Sequence, residues 1–192
     1  MKLRDQSLAT QKLQGESITG NQYIHCTLAN TNLHFTAFSD CTFTDCDFTG
    51  VVLDQTSFQG CGFGGSKLSN LDFAGTRLIK CDFGNALLDQ TYFRPHIGDH
   101  SKKSYDLRTC NFASCSLESS IFAHCDLRGI NFQDSKLTGA TFENCLLQKA
   151  NFSECTLGSV RYLDCTLDKT KLSLSGFLSY GISQGFVLNQ EN

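Results

Sequence analysis

The chain has 192 residues with one Pro, one Met and no Trp, against 16 Phe, 16 Gly and 11 Cys, and its formal net charge is −3. That length fits one domain, the charge excludes a basic nucleic-acid binder of the usual kind, and no apolar run approaches the roughly 18 residues needed to span a bilayer. The start, Met1-Lys2-Leu3-Arg4-Asp5-Gln6, is polar and lacks the apolar core of a secretory signal, so the expectation is a soluble cytoplasmic protein.

Every fifth residue from Leu8 is large and apolar: Leu8, Leu13, Ile18, Tyr23, Leu28, Leu33, and onward without a miss to Phe93. A helix returns apolar residues at three and four, and a half-buried strand at two. A strict five calls for a chain that turns a corner every five residues and sends one large side chain inward from each segment. The first four slots are preceded, two residues earlier, by Gln6, Gln11, Glu16 and Asn21, where later repeats carry Cys, Thr, Ser or Ala. They read as the atypical end coil that a repeat stack needs.

The grid breaks once, after Arg94-Pro95, and resumes at Leu107, running through Phe112, Leu117 and Phe122 to Leu172. The nine residues between, 96–104, are polar and include Gly98, and read as an excursion from the stack. Beyond Leu172 the sequence is apolar but off the grid. Leu174, Phe177, Leu178 and Ile182 fit one helical face, which Gly176, Gly181 and Gly185 weaken.

Each of the 11 cysteines, from Cys26 to Cys165, lies two residues before a grid position, and no C-x-x-C pair occurs. Free Cys behaves as a small buried hydrophobe, so a narrow interior slot accounts for them better than disulfides or metal, and reduced thiols fit the cytosol. His25, His34 and His124 fall singly on outward positions and read as solvated surface residues. His96, Asp99 and His100 offer metal-ligand types, but a polar loop without Cys is a poor cage. No phosphate loop, nucleophile elbow or paired-acid motif sits on a credible scaffold, so neither a cofactor nor catalysis is expected.

Slots such as Ala150-Asn151-Phe152-Ser153-Glu154 and Cys46-Asp47-Phe48-Thr49-Gly50 closely resemble the pentapeptide-repeat family. The resemblance implies that family's all-β fold, a right-handed quadrilateral β-helix, here with thirty-two repeats in about eight coils over residues 1–172. With coils about 4.8 Å apart the rod is roughly 38 Å long. The insertion 96–104 leaves this solenoid, and a short helical or irregular tail, 173–192, follows it. Residues 20 apart should then stack, so Tyr23, Phe43, Phe63, Phe83, Phe112, Phe132 and Phe152 form one aromatic column, which continues across the insertion only if the nine residues cost the helix no face.

Within the family the chain looks like the topoisomerase-protecting, quinolone-resistance branch. That resemblance implies binding to DNA gyrase or topoisomerase IV without direct nucleic-acid or membrane contact, partly by DNA mimicry, in a homodimer. The matching parts are an acidic face (Asp45, Asp82, Asp134, Glu154), a partner-binding loop (Arg94, His96, Ile97, Asp99, His100, Lys102, Lys103) and a dimer interface (Leu174, Phe177, Leu178, Ile182, Phe186). An adjoining face carries Arg77, Lys80, Arg108, Arg128, Lys149 and Lys169 among Asp40, Asp106, Asp126 and Asp168. The competing readings are a general protein-binding or structural scaffold, such as a secreted effector, and, more remotely, an enzyme.

Overall fold

The structure is a computed structural model that describes residues 1–9, 11–96, 104–187 and 189. Its repeats close a four-sided coil every 20 residues, and successive coils stack as parallel strands: Leu3 pairs with Tyr23, Tyr23 with Phe43, and Phe38 with Phe58. The faces are named here by their first inward residue, the first at Leu3, the second at Leu8, the third at Leu13 and the fourth at Ile18. The stack therefore begins one repeat earlier than the sequence expectation, because Leu3 already points inward under Tyr23. The insertion lengthens one coil from 20 to 29 residues and leaves the register intact, with Phe93 paired to Phe122 and Asp82 bridged to Asn111.

The five-residue unit explains the corner. The grid residue points in, its neighbours point out, and the residue two further on takes left-handed backbone, as at Asn30 (φ 59°), Asp45 (φ 51°) and Gly50 (φ 69°). Asn, Asp and Gly tolerate this conformation better than other residues. At several corners the next N–H closes the turn, for example Thr31 N to Leu28 O at 2.9 Å. The side chain two residues before the grid position also points inward, into a narrow slot. There Thr36 and Thr56 donate to Leu13 O and Leu33 O at 2.8 Å, and Cys61 and Cys81 donate to Phe38 O and Phe58 O at 3.5 and 3.3 Å. A thiol in this slot thus replaces a hydroxyl.

Two aromatic columns fill the cross-section. On the first face the rings stack from Tyr23 to Phe152 at centroid spacings between 4.8 and 5.5 Å. A second column begins on the fourth face with Phe38 and Phe58 and moves to the third at Phe73, continuing through Phe93, Phe122 and Phe142 to Tyr162. The columns meet edge to face, as at Phe93 and Phe112 (5.4 Å), a favourable quadrupole geometry.

Beyond the first coil, where Lys12 and Asn32 are unbridged, the ladder opens in two places among the described residues, and each has a side-chain cause. On the third face, Val52 pairs with Asn32 and Asp72 with Tyr92, but among the described residues no bridge joins Val52 to Asp72. Val51 and Leu71 are stacked there in the narrow slot that Thr31 and Thr91 fill in the flanking coils. On the fourth face, strand Arg77–Ile79 ends one ladder and Tyr105–Asp106 starts another. Tyr105 occupies the slot that Thr36, Thr56 and Thr76 fill below and Cys125 fills above. Much larger than they are, it packs half-buried against the core, and its hydroxyl donates to Thr76 O at 2.6 Å while Lys80 N donates to Thr109 Oγ1 at 2.9 Å. These two bonds patch the open ladder.

The C-terminal helix, Leu174–Ser183, closes one end of the stack. Ser173 caps it by accepting Gly176 N at 3.2 Å. Gly176 is buried, and a Cβ there would lie 3.3 Å from Leu157 Cδ1. Tyr180 packs edge-on against Tyr162, the last ring of its column.

Urea unfolding should show that Phe132→Ala costs about 3–5 kcal/mol, the usual range for emptying a packed aromatic site. Tyr105→Phe, which keeps the bulk and loses one hydrogen bond, should cost about 0.5–1.5 kcal/mol. A neutral Tyr105→Phe would mean that the phenol does not bridge the open ladder.

Candidate interaction surfaces

Of the residues assigned to the partner-binding loop, Ile97, Asp99, His100, Lys102 and Lys103 lie outside the described residues. The other two are held against the rod. Arg94 forms a two-pronged pair with Asp72, Nη2 to Oδ2 at 2.6 Å, and this contact raises the guanidinium pKa. His96 lies with Nε2 3.7 Å from Asp54 Oδ1, and His34 Nδ1 reaches the other oxygen of Asp54 at 3.1 Å. Asp54, Asp72, Arg94 and His96 line a depression of about 360 Å³ at the third-face opening, and a second cleft of about 400 Å³ lies at the fourth-face opening. His96 lines both.

The four residues of the acidic set occupy two columns. Asp45, Asp134 and Glu154 are left-handed corner residues following the first face, and Asp45 and Asp134 are separated by Gly65, Asn85 and Ser114. Asp82 sits on the face itself, where Asn111 Nδ2 donates to it at 2.8 Å, and an amide ladder continues through Asn131 to Asn151. The acidic surface is therefore two patches divided by uncharged residues. In the first patch His25 lies between Asp5 (3.3 Å from Nδ1) and Asp45 (3.6 Å from Nε2). His25 and His34 lie on the surface, as read from the sequence, but beside carboxylates of the neighbouring coils rather than singly.

The basic set neutralises part of its own charge. Arg108 pairs with Asp106 at 2.8 Å and approaches Asp126 at 3.4 Å, and Arg128 pairs with the nearly buried Asp126 at 2.6 Å. The Arg108 hydrogen bond holds the Asp106 carboxyl below its usual range.

Ten cysteines are buried, and only Cys165, in the last coil, is partly exposed. Burial pushes the thiols of Cys46 and Cys155 up to about 11 and that of Cys115 to about 12. Thiols that stay protonated are poor nucleophiles and poor metal ligands, whereas Cys41 and Cys110 are lowered by the neighbouring thiols of Cys61 and Cys81 and are shielded by burial alone. Among the described residues no group of three His, Cys, Asp or Glu is placed to hold a metal ion.

The predicted dimer residues gather at the C-terminal end. Leu174, Phe177, Ile182 and Phe186 are exposed, whereas Leu178 is half-buried. Val187, at 92% exposure, and Leu163 and Leu167 of the last coil extend the same apolar end. Sequence reading missed these three because Leu163 is an outward neighbour, Leu167 fills a grid slot whose covering coil is absent, and Val187 has no period. A hollow of about 340 Å³ opens between Phe177, Ile182, Phe186 and Val187.

A solid parallel solenoid with one helical cap defines a class of repeat scaffolds. The sequence matches the pentapeptide repeat region family over residues 16–94 and 105–177, and the chain belongs to that family. The two matched spans stop and resume at the insertion. No curated protein matches the sequence significantly. Among solved structures, two trypsin-treated variants of QnrB1, described as a plasmid-mediated fluoroquinolone resistance protein, are similar. One shows 16% identity and a TM-score of 0.71 with 98% of both chains covered, and the other 18% and 0.63 with 99% of both. HetL, a pentapeptide repeat protein involved in heterocyst differentiation regulation from the cyanobacterium Nostoc sp. strain PCC 7120, shows 18% identity and a TM-score of 0.41, covering 89% of this chain and 84% of that one. At these identities the likeness to QnrB1 establishes the shared fold.

Titration of the native protein with a thiol reagent should modify Cys165 alone, and slowly. The ten buried thiols should react only after unfolding. Rapid modification of several thiols in the native state would contradict the sealed slot.

Proposed function

We propose that this protein is a non-enzymatic cytoplasmic binding protein that engages a type II topoisomerase, DNA gyrase or topoisomerase IV, and protects it from quinolone-type poisons. The observation that carries this reading is the match to QnrB1 over nearly the full length of both chains. It is joined by an insertion whose first residues are pinned to the rod and by an apolar end suited to a second copy. Exposed apolar surface clustered at one end is a common mark of association, and a tail-to-tail dimer of two rods would span roughly 80 Å at about 4.8 Å per coil.

The division of the acidic residues into two patches limits the part that DNA mimicry plays and gives more weight to the insertion. The same division supports the second reading, a scaffold that docks a different protein through the insertion and the tail.

Purified protein should restore gyrase supercoiling in the presence of a fluoroquinolone, and deletion of 96–104 should reduce the rescue. Absence of rescue at every protein ratio would reject the topoisomerase reading, and a pulldown dominated by other proteins would then favour the scaffold. Phe177→Asp should convert a sedimenting dimer to a monomer while the strand signal in circular dichroism is kept. A wild-type protein that sediments as a monomer at micromolar concentration would rule out the dimer.

A further inference from the structure

Above the fourth-face opening, the corner between the fourth and first faces carries Thr109, Gly129, Lys149 and Lys169, one in each coil. Beside them on the fourth face stand Arg108, Arg128, Gln148 and Asp168. Gly129 has left-handed backbone, with φ +71°, and a Cβ there would meet nothing within 4 Å. At Gly60, lower on the same corner, the Asp40 carboxylate fills that space. Over Gly129 a depression of about 440 Å³ opens instead, lined by Arg108, Arg128, Gly129, Gln148 and Lys149. Among the described residues its lining holds three cations, one amide and no carboxylate.

The two guanidiniums are fixed by carboxylates but not saturated by them. Arg108 donates from Nε and Nη2 to Asp106 at 2.9 and 2.8 Å, and Arg128 from Nε and Nη2 to Asp126 at 2.8 and 2.6 Å. A guanidinium has five N–H donors, so each side-on fork leaves three. Two of these are on Nη1, which has no hydrogen-bond partner among the described residues in either arginine. Lys149, and Lys169 above it, form no ion pair among the described residues. Side chains already held in one orientation lose little freedom when a ligand binds.

We propose that this depression is a docking site for an acidic segment of a partner protein, which places one or two Asp or Glu carboxylates against Arg108, Arg128 and Lys149. The free edge formed by Nη1 and Nη2 offers a carboxylate a second fork. The surrounding charges set the size of the ligand. Asp106 stands beside Arg108 at the lower edge, Asp168 stacks above Gln148, and the next corner carries Asp134 and Glu154. A short segment fits between these acids, whereas a nucleic-acid backbone would run on into them. The formal net charge of −3 opposes a long polyanion in the same sense.

Fluorescence anisotropy of a labelled hexaglutamate peptide, titrated with the intact protein at low salt, tests the site. Binding should saturate, weaken as salt is raised, and be absent for an uncharged Gly-Ser peptide of the same length. Arg108→Gln and Lys149→Gln should each weaken it about two- to fivefold, the size of an exposed charge pair. Arg128 is left in place because it pairs with the nearly buried Asp126. Gly129→Asp should abolish binding by placing a carboxylate in the depression, in a backbone conformation that Asp45 and Asp134 already adopt. Lys136→Gln, on the second face, should leave it unchanged. Failure of the peptide to bind, affinity that is unaltered in Lys149→Gln or Gly129→Asp, or tighter binding of an oligothymidylate than of hexaglutamate would overturn the proposal.

Discussion

Each coil must fit four large and four small inward side chains into a slice one strand spacing thick. Nearly everything else in the molecule follows from that steric limit. Parallel in-register stacking places like residues above like, so a residue that fits one coil fits the next, and columns of Phe, Leu, Thr and Cys grow along the axis. Close packing leaves no room for one side chain to change without its neighbours. The narrow slot is the stricter half of the limit, because its occupant must be small and, where it is polar, must donate to a backbone carbonyl. Thr, Ser and Cys do this with little volume, which is why so many thiols are present and so few are reactive.

The same limit separates what the sequence makes legible from what it hides. Strict spacing reveals the grid, the aromatic column across the insertion and the burial of the thiols, since each depends on one residue type recurring at one interval. Leu3 fell outside because a single apolar residue ahead of a polar end coil carries no period of its own. The ladder openings are present in the sequence as violations of the slot, Val51 above Thr31, Leu71 above Val51 and Tyr105 above Thr76. Their effect is not readable residue by residue. Ile130 and Val160 violate the same slot, yet the coils around them stay bonded. Two bulky neighbours in a stack, or one ring, exceed what the coils absorb.

Surface pairing was legible only in part. Residues 20 apart were expected to stack, and Asp5, His25 and Asp45 do so, as do His34 and Asp54. Reading each histidine singly hid the fact that stacking places a carboxylate beside it. The contact between His96 and Asp54 obeys no interval, because it depends on the path the chain takes after Pro95.

Both openings lie where the regular rod is interrupted, and this bears on what a repeat scaffold can recognise. A flat, solid face presents a repeating surface that distinguishes poorly between one level of the rod and the next. The breaks remove that degeneracy. They mark successive levels on two adjoining faces, open clefts of about 360 and 400 Å³ there, and both clefts are lined by His96, the first residue of the insertion. The apolar C-terminal end marks the other distinct point on the axis. A partner that reads this protein by shape therefore has two landmarks, set several coils apart by a stack that packing keeps stiff. Their separation is fixed by the number of intervening repeats, so repeat number itself becomes a determinant of recognition.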